Sequence, residues 1–269
     1  MDKIVIKYGG SVQKGGSAAD GFLDELASLA HTGGSWAVVH GGGAEISEWL
    51  KRVGHTSEFK NGQRITDDLT LAVVEMVLCG RVGKRIARHL AACGVRAASV
   101  SGEDDRMLVA RPLDRGEYGH VGEIETVNTG LLTALWEQGY VPVVAPLGVG
   151  ADGRVYNINA DVAAGQIAGA LGADLLVLAT DVTGVKESAD SATVIPELTV
   201  AEAMAMIRTG CAVGGMIPKL TSAAVAIAGG VRTVVIASGE EPGLLARVMQ
   251  GQSAGTRIVG NREGSVHHA

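Results

Sequence analysis

Two lysines stand beside glycine pairs in opposite halves of the 269-residue chain. Lys7 follows Ile4-Val5-Ile6 and precedes Gly9-Gly10, while Lys219 follows Gly214-Gly215-Met216-Ile217-Pro218. A lysine is a compact point charge, and glycine lets a ligand reach bare backbone whose N–H groups can face an anion. A second glycine turn, His40-Gly41-Gly42-Gly43, follows the apolar run Trp36 to Val39. One acid, Asp161, heads a helical stretch just after Asn157 and Asn159. A carboxylate there can fix two ammonium groups in place, or it can simply cap its own helix. Arg64 follows an Asn61-Gly62 turn and reads either as a clamp on a carboxylate or as a solvated surface arginine. Moving a phosphoryl group demands mainly positioning and neutralised negative charge, and these are the residue types that supply both.

Other phosphate signatures fail on spacing. Gly80-Arg-Val-Gly-Lys-Arg85 lacks the spacing and the hydroxyl residue of a P-loop. Gly148-Val-Gly-Ala-Asp-Gly153 matches a dinucleotide fingerprint by letters, but it leads into a β-like piece instead of opening a helix. Net charge is −6 and aromatics are 3% of the chain, which argues against a nucleic-acid surface. Cys79, Cys93 and Cys211 form no CxxC pair and read as reduced cytosolic thiols. With a strand pattern from residue 3 and no uncharged apolar run of about 18 residues, neither a signal peptide nor a membrane span is expected. No metal-ligand set is predicted; His267 and His268 read as frayed tail residues.

The elements that must position these residues follow from periodicity. Short apolar runs at 4–6, 36–39, 97–101, 141–145, 175–179, 233–237 and 255–259 predict strands. Helices are predicted over about 18–31, 44–53, 68–93, 129–138, 161–171 and 243–249, and Gly214–Lys219 leads into an Ala-rich helix that ends at Gly229-Gly230. Thr199-x-x-Glu202 has the form of a capping box and opens a further helix to about Arg208. Gly80 and Gly83 are expected at close helix contacts. The region 105–128 predicts a hairpin excursion. Alternating strands and helices mean a parallel sheet between helical layers, with ligands beyond the carboxyl ends of its strands. Lys7–Gly10, His40–Gly43, Asn157–Asp161 and Asp181–Gly184 all follow strand-like runs and so gather at that edge. Gly172-Ala173 predicts the seam between two lobes, 1–172 and 173–260, with 261–269 a disordered tail.

Taken in order, these pieces resemble the amino acid kinase family, and most closely its N-acetylglutamate kinases. The likeness is carried by Lys-Tyr-Gly-Gly at 7–10, His-Gly-Gly-Gly at 40–43, Asn-Gly-Gln-Arg-Ile-Thr at 61–66, Gly-His-Val-Gly-Glu at 119–123, Tyr-Asn-Ile-Asn-Ala-Asp at 156–161, Thr-Asp-Val-Thr-Gly-Val at 180–185 and Gly-Gly-Met-Ile-Pro-Lys at 214–219. The resemblance implies a three-layer αβα sandwich of the carbamate kinase-like type, with a mainly parallel central sheet. The N-terminal lobe would bind the amino-acid substrate and the C-terminal lobe ATP. Lys7 and Lys219 would stabilise the γ-phosphoryl group in transfer, with Asp161 orienting them and the N–H groups of Gly10 and Gly43 facing the same group. Gly42, Gly43, Arg64 and Asn157 would hold the acylated amino acid. Gly9, Gly10, Asp181, Thr183, Gly184, Cys211, Val213, Gly215, Met216 and Lys219 would border the nucleotide. Mg2+ would ride on the ATP phosphates with little protein ligation. The implied reaction is transfer of the γ-phosphoryl group of ATP to the side-chain carboxylate of N-acetyl-L-glutamate, the second step of arginine biosynthesis, in a cytoplasmic enzyme.

Position 8 departs from the pattern, carrying Tyr where the family usually has a smaller aliphatic residue. The chain starts almost at its first strand, without the N-terminal helix of the hexamerising, arginine-sensitive subgroup, so a homodimer poorly inhibited by arginine is expected. A second likeness stays open, to kinases of lysine biosynthesis that phosphorylate aminoadipate or glutamate on a small acidic carrier protein. Arg81, Lys84, Arg85 and Arg88 fall near one helical face that could dock such a carrier, or they form a solvated basic stripe. A non-catalytic amino-acid sensor on the same scaffold is a third reading, opposed by the retained lysines and Asp161.

Overall fold

The computed structural model describes residues 2–9, 17–60, 62–188, 191 and 193–261. Lys3–Tyr8 forms β1, and side chains alternate across it. Ile4, Ile6 and Tyr8 face one core cluster and Val5 the other. Ile4, Val5 and Ile6 are almost wholly buried, each worth roughly 1.5–3 kcal/mol on removal from water. Such double-sided burial requires a central strand, and β1 pairs in parallel with β2 (Ser35–His40) on one side and β11 (Leu175–Thr180) on the other. This pairing joins the stretches before and after Gly172-Ala173 in one unbroken sheet.

Between them in the chain lie α1 (Ser17–Ala30), α2 (Gly43–Arg52), the short hairpin β3 (Phe59–Lys60) and β4 (Gln63–Arg64), α3 (Asp68–Glu75), α4 (Gly83–Ala92), β5 (Ala97–Ser101), the hairpin β6 (Leu108–Pro112) and β7 (Gly122–Val127), α5 (Gly130–Glu137), β8 (Val141–Ala145), β9 (Leu147–Val149), β10 (Val155–Asn157) and α6 (Ala160–Leu171). After β11 come β12 (Glu197–Thr199), α7 (Val200–Arg208), α8 (Met216–Ala228), β13 (Thr233–Ser238), α9 (Leu244–Met249) and β14 (Thr256–Val259). The main sheet has eight strands in the order β12-β14-β13-β11-β1-β2-β8-β5. It is parallel except where β14 runs against β13. A four-stranded sheet, β10-β9-β6-β7, and the β3-β4 hairpin stand beside it. The αβα sandwich with a mainly parallel sheet is therefore as the pattern predicts.

Several local expectations change. The predicted single helix 68–93 is interrupted: Met76–Val82 winds as a π-helical segment between α3 and α4. Gly80 has open space around it, whereas Gly83 packs so closely on Ser99 and His40 that no side chain fits there. β9 and β12 were not foreseen, because three-residue strands are too short to show a period. Gly148–Gly153 spans the β9–β10 turn, with Gly153 at φ 79°, and no helix follows it. The capping box at Thr199 and Glu202 is present in both directions. Tyr8 is buried and stacks on Phe22, centroids 5.2 Å apart, so the unusual residue serves packing of α1 on the sheet. Residues 262–269, with both tail histidines, lie outside the described residues, as do Gly10 and Asn61.

Candidate active site

The ends of β1, β2, β4 and β10 and the starts of α2, α6 and α8 build the site. The alternation that turns Tyr8 toward α1 turns Lys7 to the opposite face, where α6 packs against β1. α6 begins at Ala160 because Asn159 caps it, its side chain accepting from the N–H groups of Asp161 and Val162. The cap is Asn159, which leaves the Asp161 carboxylate for the two lysines. Lys7 Nζ lies 2.9 Å from Asp161 Oδ1 and Lys219 Nζ 3.1 Å from Oδ2. Each ammonium group has its own oxygen, and the three side chains are nearly buried at 10, 8 and 12% exposure for Lys7, Asp161 and Lys219. Burial raises the Asp161 pKa, but the attraction of Lys7 and then of Lys219 outweighs it, so the carboxyl is held below its ordinary value.

Lys219 reaches this point because α8 packs closely on α6. At Gly165 an added Cβ would lie 2.7 Å from the Ser222 carbonyl oxygen, and at Gly229 one would lie 2.7 Å from Gly169 Cα. Small residues at the crossing thus let two backbones approach until their first turns share one carboxylate.

Lys7 and Asp161 line a cleft of about 240 Å³ together with Gly41, Gly42, Gly43, Arg64 and Asn157. The Arg64 side chain spans from β4 to the start of α2. It donates to the Gly43 carbonyl at 2.9 Å, to Ser47 Oγ at 2.8 Å and to Ser57 Oγ, and its guanidinium lies 4.6 Å over the Phe59 ring. Arg64 is 8% exposed, and burial lowers its pKa. No described carboxylate pairs with it, so a buried cation faces the cleft with only neutral partners, a setting that attracts an anion. Asn157 donates to Thr66 Oγ1 at 3.2 Å, and Thr66 to the Arg64 carbonyl. Gly119 and His120 clamp the same Thr66 from the other side, with His120 N–H donating to its carbonyl at 2.7 Å. The sequence pattern did not reveal Ser47, Ser57, Phe59 or Thr66 as supports of Arg64. The one available signal was Ser47 four residues beyond Gly43, one helical turn along.

His40 ends β2 with no exposure, and its Nδ1 lies 3.1 Å from the Gly41 carbonyl oxygen. A carbonyl only accepts, so Nδ1 carries the proton and Nε2, next to Gly83, has no hydrogen-bond partner. Burial, with Arg85 adding to it against that Gly41 contact, holds its pKa down at about 4.

The residues expected around the nucleotide sit elsewhere. Asp181 and Thr183 follow β11, while Cys211, Val213, Gly215 and Met216 surround the start of α8; none of them lines the 240 Å³ cleft. Lys219 does not line the cleft either and is joined to it through Asp161. Gly184 is buried against Val194 and Thr256, where a Cβ has no room, so it supports the loop from behind. The Gly9 N–H is committed to the Ala179 carbonyl at 3.1 Å and is not offered to a phosphate. Asp161 is the sole acid among the described residues lining the cleft, and both its oxygens are taken. Such a donor set fits a metal ion that arrives on its nucleotide, not one held by protein carboxylates. A separate cleft of about 290 Å³ at the other end of the sheet, lined by Asp174, Arg232 and Arg257, contains none of the predicted residues.

The chain belongs to the amino acid kinase family, whose model matches residues 2–238. It is 41% identical over 261 residues to an acetylglutamate kinase of Nostoc sp., covering 96% of this chain and 88% of that one. It is 42% identical over 257 residues to an acetylglutamate kinase of Kosmotoga olearia, covering 95% and 90%. Among solved structures, smu.665 from Streptococcus mutans superposes with a TM-score of 0.82 at 31% identity, over 97% of this chain and 99% of that one.

Proposed function

We propose that this chain transfers the γ-phosphoryl group of ATP to the side-chain carboxylate of N-acetyl-L-glutamate, giving ADP and an acyl phosphate, the second step of arginine biosynthesis. The observation that carries the reading is the pair of nearly buried ammonium groups on Asp161: Lys7 and Asp161 line a cleft that also holds the guanidinium of Arg64, and Lys219 meets the same carboxylate. The acceptor has two carboxylates, and the cleft has a cation for each. Arg64 grips the α-carboxylate, Asn157 and the Gly42–Gly43 turn bracket the acylated end, and Lys7 draws the side-chain carboxylate to the phosphorus. As the acceptor oxygen bonds to phosphorus and the bridging oxygen leaves with ADP, charge spreads over the three equatorial oxygens. Lys7 and Lys219, fixed in advance by Asp161, meet that charge without reorganising. The N–H of Gly43, in the first turn of α2, has no intrahelical acceptor and adds a donor. Gly10 is assigned the same part on the resemblance alone.

In this reading residues 1–172 serve the acceptor and 173–260 serve ATP, with Asp181, Thr183 and the 211–216 segment bordering the nucleotide and Mg2+ carried on its phosphates. The enzyme is read as a cytoplasmic homodimer. Free thiols at Cys79, Cys93 and Cys211 support the location; no described helix is long and apolar enough to cross a membrane. The basic face offers little to an acidic carrier: Arg81 and Arg85 both pair with Glu45, Arg81 and Arg52 flank Trp49, and Lys84 turns to the Ser99 carbonyl. Trapping the acyl phosphate as a hydroxamate tests the assignment. N-acetylglutamate should react well ahead of N-acetylaminoadipate and of a carrier-linked acceptor; turnover with the carrier-linked compound alone would overturn it.

A further inference from the structure

Away from the phosphoryl site, α1 and α4 bring an acid, an imidazole and a thiol together. His89 and Cys93 lie four residues apart at the end of α4, one turn along a single face. Asp24 of α1 meets both. Its Oδ1 lies 2.8 Å from His89 Nε2 and 3.4 Å from Cys93 Sγ. All three ligand-type atoms fall within 4.8 Å of one another. His31, further along α1 and past its end, approaches the same turn, its Nε2 2.9 Å from the Cys93 carbonyl oxygen.

We propose that Asp24, His89 and Cys93 form a binding site for a divalent transition-metal ion of the zinc type. Bonds of about 2.0–2.3 Å in a tetrahedron place neighbouring ligand atoms roughly 3.3–3.6 Å apart. The oxygen–sulfur distance already has that value, and the oxygen–nitrogen distance needs to open by only about half an ångström. Carboxylate, imidazole and thiolate together suit zinc and cobalt, whereas magnesium and calcium prefer oxygen alone. Asp24 is exposed, so water supplies the fourth position. On binding, the Cys93 S–H bond breaks, its proton passes to buffer and the sulfur bonds the metal; His89 shifts its ring proton to Nδ1 so that Nε2 can ligate. The ion then staples the middle of α1 to the end of α4 that leads into β5, away from the catalytic cleft.

Cobalt(II) is the probe for the full-length chain, titrated without nucleotide or magnesium. One ion per chain should bind, with a thiolate-to-cobalt charge-transfer band in the near ultraviolet that zinc abolishes by displacement. The band should vanish in Cys93→Ser and persist in Cys79→Ser and Cys211→Ser. His89→Gln should weaken the affinity at least tenfold, while zinc should raise the Tm of the wild type and leave that of Cys93→Ser unchanged. Phosphotransfer by metal-free Cys93→Ser should equal that of the wild type, which also shows that the variant folds. Lack of stoichiometric binding, or a charge-transfer band that survives Cys93→Ser, would overturn the proposal.

Discussion

Asp161 carries more of the site than its size suggests. With two ammonium groups on one buried carboxylate, removing the charge leaves like charges facing each other with their hydration already lost. Asp161→Asn is therefore expected to lower kcat by about 100-fold or more, on the scale of losing a preorganised transition-state donor, and to cost about 3 kcal/mol of stability; steady-state kinetics and denaturant titration read the two separately. His40 gives a second prediction at this scale. Folded, it stays neutral until about pH 4, whereas in the unfolded chain it takes up a proton near 6.5. Between those values the unfolded state binds more protons, so stability falls as the pH drops through the window, by up to about 3 kcal/mol. His40→Asn keeps a donor where Nδ1 stands and cannot titrate, so its stability should depend less on pH between 6.5 and 4. Equal slopes for variant and wild type in urea titrations would contradict the assignment. The sequence made the glycine turn after His40 legible as a ligand site, but burial of the ring is a tertiary fact that no local pattern carries.

The helices α6 and α8 determine whether two distant residues can share a carboxylate. Gly165→Ala would place a methyl group 2.7 Å from the Ser222 carbonyl oxygen. Backbone cannot swing aside as a side-chain tip does, so α8 must shift. A destabilisation of about 1–3 kcal/mol is expected. Because Lys219 rides on α8 while Arg64 and Asn157 do not, kcat should fall with little change in KM for the acceptor. An altered acceptor KM at unchanged kcat would mean that the crossing does not position Lys219. Elements of this length were readable from periodicity, and so was their convergence, since strands 3–8, 35–40 and 175–180 all end in glycine or polar turns on one edge. The π-helical segment was not, because its apolar spacing over 76–82 also satisfies an ordinary helix. The part played by Asp161, cap or anchor for two lysines, stays open in the sequence for a similar reason. Asn159 and Asp161 are both good capping types, and only the positions of Lys7 and Lys219 free the second for another task.

At the scale of the whole molecule the sheet has two edges. One ends in β12, of three residues. The other ends in β5, five residues long, paired on one side by β8 and half-buried along four of its five side chains. An open strand of this kind is a template for pairing unless it is covered. Met76, 61% exposed in the π-helical segment, and Leu69, 47% exposed in α3, add apolar surface on the helix that precedes it. Covering the strand and this helix by a second copy would remove both liabilities, and a two-fold axis lets the same patch serve both chains. Light scattering coupled to size exclusion should therefore give a mass of about 55 kDa, twice the 27.5 kDa of one chain. Met76→Asp would bury a carboxylate with no partner in such an interface, and its mass should fall toward that of one chain at micromolar protein. Retained phosphotransfer in the dissociated variant would place the complete site within one chain, as the cleft between β1, α2 and α6 implies. A wild-type mass of 27.5 kDa, or a Met76→Asp protein still at twice that value, would leave β5 to be guarded by some other means.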